Sequence, residues 1–386
     1  MGRKNEGRGH VLRKRLTVIL LVPVLLVALF LGYKIVRWKA YAWLPGYETA
    51  ALAREDVPAG SQVHVIFVFV DHYEPGPGPA GAERNREWLE GYKALASRHG
   101  DSYGRVPQHT WFYAYEHKND AVMAELSAAV REGYGEIEFH WHHGNDTNES
   151  FGPKLEEALR WFNSFGAMVS DAPDERVRFA FVHGDCALDN STIPEHCGVN
   201  RELDALRIAG CYADFTFPSL GSPGQPSKVN SIYYAEDDDA PKSYDTGRDA
   251  EVGKRVSDRL LMFQGPMTLT PTRQLFEYGA VENDERPSPD RVDSWVATRV
   301  CVKGRPDWAF VKVYTHGAQS QTTCLGPDTD AMFARLEERY GKGAYRLHYV
   351  TAREAYNIVR AAEDGRTGDP DNFRDYEVTP PRNKHP

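Results

Sequence analysis

Three histidines stand within four positions in Glu136-Ile-Glu-Phe-His140-Trp-His142-His143-Gly-Asn-Asp146, where an alternating run gives way to a polar turn. In a strand, residues two apart share a face, so His140 and His142 can aim at one point. If the chain turns helical at His140, then His140 and His143 become the neighbours instead. Either way two imidazoles converge, and neutral imidazole is a preferred ligand for zinc-like metals. Other chemistry-bearing residues recur at the ends of apolar runs. They are Asp71-His72 with Glu74 nearby, Glu116-His117, His183 with Asp185, Asp214, and His316. An aspartate and a histidine added to the His cluster make a mixed N/O set suited to a divalent metal, Zn²⁺ above all, with one position open. His316 belongs to a late strand and could face that metal from the far side as a proton donor.

The elements that must position these groups alternate. Val63–Val70 is a nearly continuous apolar run, the pattern of a strand covered on both faces. Further strands are predicted at His109–Tyr115, Gly135–Trp141, Val177–Val182, Cys211–Phe215, Leu260–Gln264, Trp308–Thr315 and Leu347–Val350. Helical patterns fall at Ala82–Arg98, Asp120–Arg131, around Leu155–Phe162, at Asn200–Ile208, and after the capping box Thr351-Ala-Arg-Glu354. Strand–helix alternation implies an α/β fold with a parallel sheet. No glycine-rich phosphate loop follows any strand, which favours a closed barrel over a nucleotide-binding open sheet. In such barrels the working groups sit just past the C-terminal ends of the strands, where these polar residues fall. Residues 218–258 lack periodicity and read as an insertion, a lid or substrate wall with one strand-like piece at Ser231–Ala235. Residues 363–386 read as a flexible C-terminal tail. The chain has no internal repeats.

The N-terminus has a different character. Leu16–Tyr33 is free of charge and about 27 Å long as a helix, enough to cross a bilayer. Residues 1–15 form a basic tail with Arg3, Lys4, Arg8, Arg13, Lys14 and Arg15. The positive-inside rule keeps that tail in the cytoplasm and exports the body, giving a single-pass protein of the inner membrane. Tyr33, Trp38, Tyr41 and Trp43 suit an interfacial aromatic belt, and residues 34–61 read as a linker. Residues 1–44 carry nine basic residues against one acid, +8 in all, so a chain of net charge −9 has a body near −17. An acidic body disfavours nucleic acid as a partner. Of the five cysteines, Cys186 and Cys197 are the nearest pair and the candidate bridge in an oxidising compartment.

The order of these motifs resembles the NodB-type polysaccharide deacetylase superfamily. "FVDHYEP" is similar to its first aspartate motif and "EIEFHWHH" to its strand-and-histidine motif. "FVHGDCALDNS", "CGVNRELDALRIAGCYADFTFPS", "VYTHGAQ" and "YVTAREAYNIVRAA" look like a divergent bacterial branch of it, over roughly residues 60–365. The resemblance implies a distorted (β/α)₇ barrel, here residues 62–362, and a divalent metal held by one Asp and two His. It implies that Asp71 is the base and His316 the acid. The family's second aspartate is here His72, and the position four after His140 is Gly144, so the second histidine ligand must be His142 or His143. "HGDCALDNS" stands where the family has an Arg-Pro-Tyr substrate motif.

The expectation is therefore a membrane-anchored hydrolase that removes acetyl groups from an envelope polysaccharide. His72, His140, His142 and His143 are its candidate metal ligands, Asp71 and His316 its catalytic pair. Glu74, His183, Asp185 and Asp214 are the candidate substrate contacts. A glycosidase using a pair such as Asp71 with Glu74 or Glu116, or a non-catalytic glycan-binding protein on the same barrel, are the alternatives.

Overall fold

The computed structural model describes residues 3–168, 176–270 and 275–384, with side chains from residue 20 onward. Two helices, α1 (Arg3–Arg37) and α2 (Ala40–Ala53), precede the body. The body runs β1 (Val63–Tyr73), α3 (Gly78–Ala96), β2 (His109–Ala114), α4 (Asp120–Arg131), β3 (Gly135–Trp141), α5 (Asn148–Ser164), β4 (Phe179–His183), α6 (Glu202–Ile208) and β5 (Cys211–Asp214). Next come β6 (Ser231–Ala235), β7 (Gly247–Asp249), β8 (Leu261–Gln264), β9 (Met267–Leu269), β10 (Phe276–Tyr278) and α7 (Pro289–Thr298). The chain closes with β11 (Trp308–Thr315), α8 (Gln321–Cys324), α9 (Pro327–Tyr340), β12 (Tyr345–Val350) and α10 (Ala352–Glu363).

Ten strands form one mostly parallel sheet in the order β11-β1-β2-β3-β4-β5-β8-β6-β7, with β12 also paired to β1. The mixed α/β architecture agrees with the alternation in the sequence. The expected barrel is not drawn by the ladder: among the described residues no ladder joins β8 to β11, because β8 pairs with the antiparallel β6 from the 218–258 segment. Side chains span that gap, with the rings of Phe263 and Phe310 6.0 Å apart across it. Lys312 of β11 donates from its buried Nζ to the carbonyls of Phe215, Phe217 and Phe263.

The sheet has two cores because β-strand neighbours face opposite ways. Val65, Phe67, Phe69 and Tyr73 of β1 pack under the surrounding helices, whereas Ile66, Val68 and Val70 pack on the other face, with α10. Every residue of α10 is buried, although its sequence is amphipathic. Its polar side is covered by the segment whose composition suggests a flexible tail. Arg353 pairs with Glu136 at 2.9 Å and with Asp375 at 2.7 Å, and Lys384 reaches Glu136 at 2.5 Å. Where fraying is expected, Arg374, Val378 and Asn383 are thus buried against the body, and Asp375 and Lys384 pair with buried charges on α10 and β3.

Among the described residues, one helix near the N-terminus is long and apolar enough to cross a membrane: Leu20–Arg37, mean hydropathy 2.1, none of it buried. The basic side chains of residues 3–15 lie outside the described residues. Much of the expected 34–61 linker is helical, since α2 occupies Ala40–Ala53. Of the expected aromatic belt, Tyr33 and Tyr41 are exposed, but Trp38 and Trp43 are buried against the body. Trp43 packs edge-on to Phe276 at 5.2 Å, and Trp38 lies 6.5 Å from Tyr278. Ring contacts continue inward from Tyr278 to Tyr314 at 6.3 Å and from Tyr314 to His316 at 6.4 Å.

Candidate active site

β1 runs to Tyr73, three residues past the apolar stretch, and that extension decides which motif residues reach the strand-end mouth. Asp71 falls on the helix-facing side. It is fully buried, with one oxygen accepting from His109 Nε2 at 2.8 Å and the other from the Gly317 N–H at 2.7 Å. Burial pushes its carboxyl upward, against the pull of His109. The geometry therefore does not bring Asp71 to the mouth as an accessible base. His72 faces the other way, its ring 5.2 Å from His140 and 4.7 Å from His316. Its Nε2 is buried and has no hydrogen-bond partner. Burial, with His316 and His140 beside it, holds its pKa well below the ordinary histidine value, so the ring is neutral.

Glu74, the first residue past β1, is the carboxylate that meets the histidines. Its Oε1 lies 3.2 Å from His140 Nε2 and 3.7 Å from His142 Nε2. The three donor atoms fall within 4.8 Å of one another, a grouping that could hold a metal ion. Each ring is oriented from behind. His140 Nδ1 donates to the Val182 carbonyl at 2.9 Å, which leaves a lone pair on Nε2. His142 Nδ1 pairs with Glu116. These are the outer partners that fix tautomer and direction in metal-binding histidines. Glu74 Oε2 accepts from Gln319 Nε2 at 3.0 Å. Burial acts to raise the Glu74 carboxyl, but His140 and His142 outweigh it and bring it down to about 2. Glu74 and His142 remain partly exposed, so the cluster opens to solvent on one side.

His316 stands at the end of β11 across the mouth. Its Nδ1 donates to Glu282 Oε1 at 2.8 Å, and Glu282 also accepts from the His316 N–H and from Ser320. Burial opposes a charged ring, yet Glu282 prevails and raises the His316 pKa above its ordinary value. The site thus holds a neutral imidazole, His72, beside a positively biased one, His316.

The remaining expected residues do not join the Glu74–His140–His142 group. Asp214 is fully buried and folds back on Thr216, accepting from its N–H at 3.0 Å and its hydroxyl at 2.7 Å. Asp185 sits in a turn with φ 54° and a half-exposed side chain, 3.9 Å from His196. His143 and His183 point away from the mouth, and their rings meet 4.6 Å apart. The Cys186–Cys197 bridge does not form, and all five cysteines are free. Cys197 turns instead toward Glu202, 3.4 Å away. Sequence patterns do not single out Glu282, and Gln319 enters only as the last residue of the "VYTHGAQ" stretch. Glu282 lies in irregular chain between β10 and α7, where no periodicity marks a strand end.

No family model matches this sequence, and no curated protein matches it. The chemistry of the site is therefore read from its own geometry.

Proposed function

We propose that the chain is a metal-dependent hydrolase that removes acetyl groups from a cell-envelope polysaccharide. In this reading the sheet is the distorted barrel of the NodB-type deacetylases, and α1 holds the body at the membrane on the side away from the basic tail. The observation that carries it is the convergence of Glu74, His140 and His142 on one point beside His72 and the His316–Glu282 pair. Lone pairs on pinned imidazoles beside a carboxylate fit a divalent ion, zinc included. Bound there, such an ion would supply Lewis-acid charge to an acetyl carbonyl and to the attacking water.

The chain's own groups supply the rest. His72 offers an unpartnered Nε2 to orient the water or the acetyl oxygen. Water passes a proton to the unpartnered Nε2 of neutral His72 as its oxygen adds to the carbonyl carbon, and the bond to the sugar nitrogen or oxygen breaks. His316, kept protonated by Glu282, delivers the proton to that leaving atom. Acetate departs. This assigns the ligand carboxylate to Glu74 in place of His72, and leaves Asp71 as a buried brace for His109 and Gly317. A glycosidase reading is weaker, because Glu74 and Glu116 are both engaged with imidazoles and neither is free as an acid.

The test is acetate release from a panel of N- and O-acetylated glycans by the detergent-solubilised full chain. Release is expected, with loss on chelation and recovery on adding zinc. A panel that yields no acetate from metal-loaded protein overturns the proposal.

A further inference from the structure

Behind the mouth lies a second histidine cluster that the proposed reaction does not use. His143 follows His142 directly but turns to the opposite side of the β3 end. There it meets His183 from the end of β4, Cys197 from the following loop, and Glu202 from the first turn of α6. One atom from each lies within 4.8 Å of all the others, and all four side chains are buried.

The hydrogen bonds around the cluster fix which atoms face inward. His183 Nδ1 lies 2.6 Å from the Gly184 carbonyl, which can only accept, so the proton is on Nδ1. Its Nε2 then carries a lone pair. That atom is buried, has no hydrogen-bond partner, and faces Glu202 Oε1 at 3.5 Å. His143 differs in having a partner on each side, with Nδ1 against Asp146 at 3.2 Å and Nε2 3.0 Å from the same Glu202 oxygen. Cys197 Sγ accepts two backbone N–H groups, from Asn190 at 3.3 Å and Val199 at 3.4 Å; burial and Glu202, 3.4 Å away, push the thiol pKa up, so a metal bound there would have to displace its proton. A single bridging proton could serve one of these atoms. With His143 and Cys197 both turned to Glu202, none of these contacts serves His183 Nε2, whose lone pair is left for a ligand.

We propose that His143, His183, Cys197 and Glu202 form a second metal site, a closed structural zinc site separate from the mouth. The donor set is two nitrogens, one sulfur and one oxygen, the tetrahedral complement of zinc, and a thiolate selects against magnesium and calcium. Four protein ligands and full burial leave no open position for substrate. Asp146 behind His143 supplies the carboxylate–histidine–metal arrangement, and is itself held by Ser150 at 2.7 Å and Lys154 at 2.5 Å. His64 and His348, at the other end of β1, behave differently. Those rings hydrogen-bond each other directly at 2.9 Å, so their facing nitrogens satisfy one another.

The site would staple the ends of β3 and β4 to the 184–200 loop. It would also steady the mouth, because Gly184 lies against the His142 ring so closely that a Cβ there would come within 2.2 Å of it. The sealed site stands whether or not the mouth is a hydrolase.

The experiment uses the full chain in detergent, loaded with zinc or with cobalt alone. Two zinc equivalents per chain are expected; Cys197→Ser should lose one and His140→Ala the other. Cobalt-loaded protein should show a near-ultraviolet thiolate-to-cobalt band that Cys197→Ser abolishes and His140→Ala keeps. Should Cys197→Ser fail to fold, alkylation of the native chain decides. Cys197 should be labelled only after chelation, while buried Cys211 and Cys324 stay unlabelled throughout. Absence of the cobalt band in the native chain, or equal labelling of Cys197 with and without chelator, overturns the proposal.

Discussion

Two adjacent residues, His142 and His143, open onto two different environments. On one side, Glu74, His140 and His142 form a group with one face toward solvent and a proton donor across the gap. On the other, His143, His183, Cys197 and Glu202 are sealed, with one atom from each lying within 4.8 Å of the others. Both clusters use imidazoles braced from behind by an acceptor. The difference lies in what surrounds them: the open cluster has His72 and His316 nearby with nitrogen atoms to spare, the sealed one is closed in by Asp146, backbone and core. On the proposed reading, reactivity would belong to the incomplete set and rigidity to the complete one.

That division of labour is most vulnerable at the ligands themselves. His140→Ala should cut deacetylation by at least about 10³-fold while leaving the fold intact, because a lost Lewis acid costs several kcal/mol of transition-state stabilisation. Cys197→Ser should do the reverse, lowering thermal stability sharply, since closed zinc sites contribute folding energy directly. Parallel rate and melting measurements check both. If each variant damages both properties equally, the two clusters do not divide the work.

A smaller effect is expected at the proton donor. His316→Asn should lower kcat by roughly 10²–10⁴-fold with metal content unchanged, the usual worth of a positioned general acid. Outer partners should matter less again. Glu116→Gln should weaken metal binding at the mouth, and Asp146→Asn at the sealed site, each by about 10–100-fold and each without affecting the other. Competition with a chelating dye reads this out. The mildest expectation concerns pH. Because His316 must be protonated, activity should fall as pH rises through its pKa, which Glu282 raises above the ordinary histidine value. Glu282→Gln removes that support, so the falling limb should move to lower pH. A limb that stays in place would detach His316 from the proton step.

Much of this is legible in the chain. The β3 run and its histidines, the late strand ending at His316, and the capping box at Thr351 stand where periodicity places them. Register is what misleads. The apolar run stops at Val70, but β1 continues to Tyr73, pairing His72 with Phe112 and Tyr73 with Tyr113. Those added residues turn Asp71 toward the helices and make Glu74 the first free position. Polar residues can extend a strand when a neighbour supplies the ladder, and hydropathy alone does not see the neighbour. Cys197 and Glu202 are opaque for another reason. Their partners lie far upstream, and no short-range spacing links a loop cysteine to a histidine on a different strand. The opening between β8 and β11 is also hidden, because the insertion that caps β8 reads only as aperiodic chain.

The buried tryptophans of the N-terminal helices have one further consequence. A chain held in a bilayer by α1 would not carry its body on a loose stalk, since Trp38 and Trp43 are wedged into the fold. From Trp38 to His316 there are three ring-to-ring steps, each of 6.3 to 6.5 Å. The reacting centre would then hover no more than about two helix diameters above the headgroups, at a fixed height. A polymer would have to be worked on close to where it leaves the lipid surface, and strands extending far outward would pass beyond reach.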